Sequence, residues 1–230
     1  MTTGIIVQAR MSSSRLPGKM LRSLEGKTLI EWVTNRLSRG QTNLPIIVAT
    51  SIDRSDDLIA RECDRLGIEC FRGSLEDVRR RFADCMAAKR WTSAVRICGD
   101  SPLISPDVVD LVVKKYLAET PRVDLVSNVV NHTYPKGQSV EVFSFEAIAK
   151  LGTLALTESE AEHVTLGFYN RPEQFCIESV SLARSKRSLS FVIDTLDDWD
   201  QLRGFIALEQ DPSLDLEKLI GSFETYSKLP

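Results

Sequence analysis

The sequence predicts an α/β fold: a mostly parallel sheet between two layers of helices. Three observations carry that expectation. Four short, nearly continuous apolar segments lie in residues 4–98, as strands buried on both faces require. Each is followed by an apolar pattern of helical period, and residues with capping or turn chemistry punctuate the alternation. No repeat, low-complexity stretch or long linker interrupts it.

The elements follow in order. Residues 4–9, centred on Ile5, Ile6 and Val7, read as the first strand, and residues 10–19 as a polar, basic loop. Leu29, Ile30, Val33 and Leu37 recur at helical spacing, with Gly40 beyond them. Residues 46–49 form the second strand. Ser55, ahead of Asp56 and Asp57, starts a helix carrying Leu58, Ile59, Cys63 and Leu66, closed by Gly67. Residues 68–71 form the third strand, and Ser74 with Asp77 resembles a capping pair opening a helix through Val78, Phe82 and Met86. Residues 94–98 form the fourth strand, and Ser105-Pro106 opens a helix through Val109, Val112 and Tyr116. Each crossover is expected to be right-handed.

After Val123 the pattern changes. Residues 124–129 and 139–143 read as strands, and Ser144 caps a helix through Leu151. Residues 158–170 read as one helix, 175–182 as extended and 191–193 as a short buried strand. Residues 197–210 read as a helix and 213–226 as a weaker one.

Composition narrows the function classes. A chain of 230 residues with 43% hydrophobic content buries a real core. A net charge of −3 argues against a general nucleic-acid binder. Five scattered cysteines without a CxxC pair suggest reduced thiols packed as small core residues in a cytoplasmic protein. We find neither a signal-peptide pattern nor a run near the ~18 apolar residues of a membrane span.

The loop after the first strand carries the chemistry. Arg10, Arg15 and Lys19 lie within ten residues that also hold Ser12, Ser13, Ser14 and Gly18. Guanidinium groups grip oxygens in pairs, an ammonium follows moving charge, and small residues let backbone N–H groups approach a phosphate. The same composition also describes a solvated basic loop. It contains neither GxxxxGK[ST] nor GxGxxG, which disfavours a Walker loop and an ordinary dinucleotide fold.

The run Gln8-Ala9-Arg10-Met11-Ser12-Ser13-Ser14-Arg15-Leu16-Pro17-Gly18-Lys19 resembles the signature loop of the cytidylyltransferases, the CMP-sialic-acid and CMP-Kdo synthetase-like enzymes. The spore-coat-polysaccharide branch is the most similar. The resemblance implies a Rossmann-like, glycosyltransferase-A-type fold, in which CTP gives CMP to a sugar acid and pyrophosphate leaves. It casts Arg10, Arg15 and Lys19 as phosphate holders and catalytic cations, with Gln8, Ala9, Ser12 and Gly99 also beside the nucleotide. Arg96-Ile97-Cys98-Gly99-Asp100-Ser101-Pro102-Leu103 is similar to the family's GD-x-PL segment, and Val192-Ile193-Asp194-Thr195-Leu196-Asp197-Asp198 to its DTPED segment. These imply Asp100 and Asp194 as ligands of Mg²⁺, or Mn²⁺, while Asp197 reads as a helix cap. Leu196 stands where the family has proline.

Arg72, Gly73, Ser74 and Asp77 resemble the segment beside the base; capping and base binding both remain open for Ser74 and Asp77. Asn128, Tyr134, Glu141 and His163 resemble acceptor-side positions, His163 as a group that orients or deprotonates the acceptor. The chain departs from the branch there: Lys136 replaces an acid, Gln138-Ser139 replaces leucine–aspartate, and Leu166-Gly167 replaces proline–tyrosine. The expected organisation is one nucleotidyltransferase domain over residues 1–230. Residues 128–189 elaborate it for acceptor binding and subunit contact in a homodimer. The partners implied are CTP and a small sugar-like acceptor, without nucleic acid or membrane. The rival readings are a uridylyl- or guanylyltransferase acting on a sugar 1-phosphate, and a nucleotide-binding relative without turnover.

Overall fold

The computed structural model describes residues 2–209 and 214–228. Strand β1 (Thr3–Gln8) leads through the basic loop and a single 3-10 turn (Lys19–Leu21) to α1 (Leu29–Leu37). Strand β2 (Ile46–Ser51), α2 (Asp57–Leu66), β3 (Glu69–Gly73), α3 (Val78–Lys89), β4 (Ser93–Cys98) and α4 (Pro106–Glu119) continue the alternation. Then follow β5 (Leu125–Ser127), β6 (Glu141–Ser144), α5 (Phe145–Leu151), α6 (Glu158–Glu162), α7 (Leu166–Tyr169), β7 (Ile177–Ser179), α8 (Leu196–Leu208) and α9 (Leu216–Tyr226).

Among the described residues, seven strands form one sheet in the order β3-β2-β1-β4-β6-β5-β7. Strand β6 runs antiparallel to both of its neighbours, and the remaining pairs are parallel. Alternation along β1 sets the layers. Ile5 and Val7 face α1, α2, α4, α8 and α9, while Ile6 faces α3, α5 and Phe168 of α7. Leu29, Ile30, Val33 and Leu37 of α1 are almost wholly buried. Each contributes about 1.5–3 kcal/mol of transfer free energy relative to exposure.

Local signals account for the helix ends. Thr28 accepts the Glu31 N–H at the start of α1, Asp77 accepts that of Arg80 at the start of α3, and Gly67 ends α2 at φ 68°. Asp53 caps the turn ahead of α2, a role the sequence assigned to Ser55.

Four expectations need correction. The stretch 158–170 is two short helices, because the chain leaves helical geometry at His163 (φ −98°, ψ 62°). Residues 191–193 are not a strand. They run extended between two loops, with Phe191 N–H donating to the Lys136 carbonyl and Ile193 N–H to that of Asp100. Helix α8 begins at Leu196, capped by Thr195 and Asp198, so Asp197 is not the cap. Its expected end at Gln210, and the expected start of the last helix at Ser213, lie outside the described residues. Cys63 and Cys85 are core residues as expected, but Cys176 is exposed.

Candidate nucleotidyl-transfer site

Strand order decides where a ligand can sit. Strand β1 connects to β2 on one side and pairs with β4 on the other, so the carboxyl ends of β1 and β4 border the crevice where the winding reverses. Gln8, Ala9 and Arg10 leave β1 there, and Cys98, Gly99 and Asp100 leave β4 beside them. Gly99 is required by close approach: its N–H donates to the Gln8 carbonyl at 2.9 Å, and a β-carbon would stand 2.8 Å from that oxygen.

The basic loop is held from inside. Asp56, buried, accepts the Met11 N–H at 2.7 Å and both the N–H and the hydroxyl of Ser51, which pins the loop to the end of β2. Leu16 and Met20 anchor it in the core. Gly18 adopts φ 70°, the left-handed geometry that turns the chain into Lys19.

Lys19 is the hub. Its ammonium donates to Asp100 at 3.0 Å, to Asp194 at 2.7 Å and to the Ile193 carbonyl at 2.7 Å. Asp194 reaches it because Ile193 is bonded to Asp100. Arg15 takes the other oxygen of Asp194 at 2.8 Å, and Arg10 pairs with Glu162 at 2.5 Å. Every cation of the loop thus rests on a carboxylate, the nearest protein equivalent of a phosphate oxygen.

These residues line a cavity of about 320 Å³ with Gln8, Ala9, Ser12, Gly99 and His163. Of the expected site residues, Gln8, Ala9, Arg10, Ser12, Arg15, Lys19, Gly99, Asp100, His163 and Asp194 therefore meet in one place. An adjoining cavity of about 700 Å³ is lined by Asp77, Glu76 and Thr157, and it shares Arg10, Ser12 and Glu162 with the first. The Arg10–Glu162 pair is a wall common to both.

Seven expected residues lie elsewhere. Arg72 folds back onto the Ser51 and Asp53 carbonyls and pairs with Asp57 at 2.7 Å. The Gly73 carbonyl accepts the Ile52 N–H, and the Ser74 hydroxyl accepts that of Asp77. Asp77 reaches the second cavity while capping α3, so both of its open roles are compatible. Asn128 and Tyr134 line a separate cavity of about 480 Å³ with Lys136 and Arg187. The Asn128 amide is fully engaged, donating to the Gln138 carbonyl at 2.6 Å and accepting the Val140 N–H at 2.8 Å.

Glu141, buried, stands behind the wall of the first cavity. One oxygen takes Arg96 Nη1 at 2.5 Å and the other the Tyr169 hydroxyl at 2.5 Å. Burial and the Glu141 charge push the Tyr169 pKa well up, so the phenol remains a donor. Gln138, one of the departures from the family pattern, is also internal, bonding the Ser105 N–H and the Leu103 carbonyl.

The residues missed from sequence are Arg96, Cys98, Glu162 and Asp56. Arg96 left a signal: one cation in an otherwise apolar strand, opposite one acid, Glu141, in the antiparallel neighbour. Glu162 left its place in the Glu162-His163-Val164-Thr165 run, which resembles an acceptor-side motif, but nothing that paired it with Arg10. Burial pushes the Cys98 thiol up to about 11, so it lines the cavity as a neutral group and not as a nucleophile.

The donor set suits a hard cation. Mg²⁺ takes oxygen ligands, commonly one or two carboxylates completed by phosphate oxygens and water. The Asp100 and Asp194 carboxylates meet on one ammonium and so converge without bonding each other. Among the described residues no group of three or more His, Cys, Asp or Glu gathers to hold a metal alone. The pair fits a partial shell that a phosphate would complete.

Fold and site together define a nucleotide-handling α/β protein of the Rossmann-like nucleotidyltransferase type. The family model for cytidylyltransferases matches residues 4–220, and the chain belongs to that family, as a CTP-dependent nucleotidyltransferase. It is 33% identical to the uncharacterized protein MJ1063 of Methanocaldococcus jannaschii, over 84% of this chain and 79% of that one. It is 28% identical to the spore coat polysaccharide biosynthesis protein SpsF of Bacillus subtilis, over 86% and 83% of the two chains. A cytidylyltransferase structure from Leptospira borgpetersenii superposes with a TM-score of 0.94 at 27% identity, covering 99% of this chain and 95% of that one. No helix among the described residues is long and apolar enough to cross a membrane.

Proposed function

We propose that the protein transfers CMP from CTP to an acidic sugar or sugar-like acceptor, releasing pyrophosphate, in the synthesis of precursors for surface polysaccharide or glycoconjugate. The observation that carries this reading is the convergence of Arg10, Arg15 and Lys19 with Asp100 and Asp194 in one cavity at the crevice between β1 and β4. The similarity to SpsF supports the polysaccharide context.

In the proposed reaction an acceptor oxygen attacks the α-phosphorus in line, and the bond to the bridging oxygen of pyrophosphate breaks. Such chemistry depends on positioning and charge neutralisation. Phosphate oxygens replace Glu162 on Arg10 and Asp194 on Arg15. Lys19, held by the Ile193 carbonyl, follows the charge that develops on the leaving group. Asp100 and Asp194 would hold Mg²⁺ or Mn²⁺, which when bound neutralises phosphate charge. His163, exposed at the cavity, orients or deprotonates the acceptor. The family resemblance adds a homodimer to this reading, and the scattered cysteines add a cytoplasmic location.

Two measurements test it. Thermal stabilisation with Mg²⁺ should rank CTP above UTP, GTP and ATP. Incubation with CTP, Mg²⁺ and a panel of Kdo, sialic acid and other nonulosonic acids should yield a CMP adduct by mass. An adduct formed only from a sugar 1-phosphate would overturn the acceptor assignment.

A further inference from the structure

Arg96 stands in the catalytic cavity without a part in the phosphate chemistry. Its guanidinium is fixed from one side only. Nη1 donates to Glu141 at 2.5 Å and more distantly to Thr165 at 3.4 Å. Glu141 is held in turn by the Tyr169 hydroxyl, which also bonds Ser127 at 2.7 Å. The carboxylate therefore cannot swing toward the cavity without giving up a buried hydrogen bond.

The opposite edge is differently provided for. Nε and Nη2, the two parallel donors, both aim at the single Gln8 side-chain oxygen, at 3.4 and 3.3 Å. These are long bonds to one neutral atom, where the fork geometry suits two oxygens about as far apart as those of a carboxylate. Gln8 lines the same cavity as Arg96, together with Cys98, His163 and Asp100.

We propose that Arg96 is the acceptor-reading residue: its Nε/Nη2 edge receives the carboxylate of an acidic acceptor in place of the Gln8 oxygen, while Glu141 and Tyr169 position it from behind. The proposal rests on the acidic-acceptor reading above and deepens it. It explains why a charged pair is buried in two central strands. Glu141 neutralises and aims the arginine, and its second oxygen is already occupied, so an incoming anion meets the edge held only by the long Gln8 contacts. It also assigns Glu141 a positioning role without contact with the acceptor. Discrimination follows from the same geometry. A carboxamide offers one acceptor and one NH₂ to two donors, so it forfeits one charge-assisted bond and sets a donor against a donor.

The test compares Kdo and N-acetylneuraminic acid, each against its C1 carboxamide, with glucose 1-phosphate as a third arm. Wild type, Arg96→Lys and the double variant Arg96→Gln/Glu141→Gln are assayed for CMP transfer from CTP. The lysine keeps the charge and loses the fork; the double variant removes the buried pair together, so no lone charge threatens folding. CTP-induced thermal stabilisation reports that the nucleotide half is intact. We expect wild type to prefer acid to amide, and both variants to raise the KM for the acid by roughly ten- to a hundredfold, erasing that preference. The expected companion signature is a shift of the Arg96 Nε–Hε resonance of the CTP-loaded wild type on titration with acid and not with amide. Variants that keep the acid-over-amide preference, or that lose CTP stabilisation, overturn the role of Arg96 and leave the acidic acceptor standing. A wild type that shows no preference for acid, or that uses only glucose 1-phosphate, overturns both.

Discussion

Along the sheet from β3 to β4, charged side chains stand at open strand ends, whereas between β6 and β7 they lie behind a cavity wall. Arg10, Arg15 and Lys19 each meet a carboxylate, whose place on the two arginines phosphate oxygens take in the proposed reaction. Glu141 and Asn128, from the second region, are buried and have both ends of their polar groups spent on the protein itself. Parallel strands send their carboxyl ends to one edge, so loops there are free to carry chemistry. The antiparallel insertion of β6 puts its side chains against β4 and β5, where a polar group must be satisfied internally. Motif residues in the two halves therefore do different work: ion pairs at the open sheet edge in one, internal scaffolding in the other, and only the first are exchangeable under the proposed reaction.

The largest expected effect breaks the exchangeable half. Lys19→Ala should lower kcat/KM for CMP transfer by about a thousandfold or more, and Asp100→Asn similarly, with the circular dichroism of the fold retained. Near-normal pyrophosphate release in either variant would overturn the role proposed for the residue replaced.

Asn128→Ala should act on stability. It strands the Gln138 carbonyl and the Val140 N–H in the interior, at about 1–3 kcal/mol each. Urea unfolding checks this. A raised acceptor KM at unchanged stability would instead make this region a binding surface.

Acid should unfold the scaffolding half through Glu160. Hydrogen bonds from Arg171, the Thr157 N–H and Asn170 hold its carboxyl down at about 2, from an ordinary 4.5. A depressed carboxylate stabilises the fold fully above the unfolded value. That contribution is lost as pH falls from 4.5 toward 2. Glu160→Gln should flatten the stability–pH curve in that window and nowhere above it.

The smallest effect is the sharpest for the comparison. Glu162→Gln frees Arg10 from its partner and should tighten CTP binding by up to about fivefold, because exposed pairs are worth little. Weaker CTP binding in this variant would show that Glu162 serves the nucleotide and does not compete with it.

Much of this molecule was legible in one dimension. The apolar runs, their spacing and their caps specify the β1–α4 alternation, because a buried strand and an amphipathic helix each have a period. The basic loop and Asp100 were legible too, since chemistry placed just after a strand must fall at the sheet edge. Gln8, Ala9, Arg10, Ser12, Arg15, Lys19, Gly99 and Asp100 meet in one cavity for that reason. Only the tertiary structure decided the rest. Asp194 comes to Asp100 through the backbone bond of Ile193, a pairing across 93 residues that no local pattern encodes. Glu141 is turned inward by its register against Arg96, and it is held there by Tyr169, a tyrosine 73 positions after that arginine in the chain. Periodicity is a property of neighbours in sequence. Which polar group is left facing a cavity depends on how distant strands pair, and that is settled when the sheet closes.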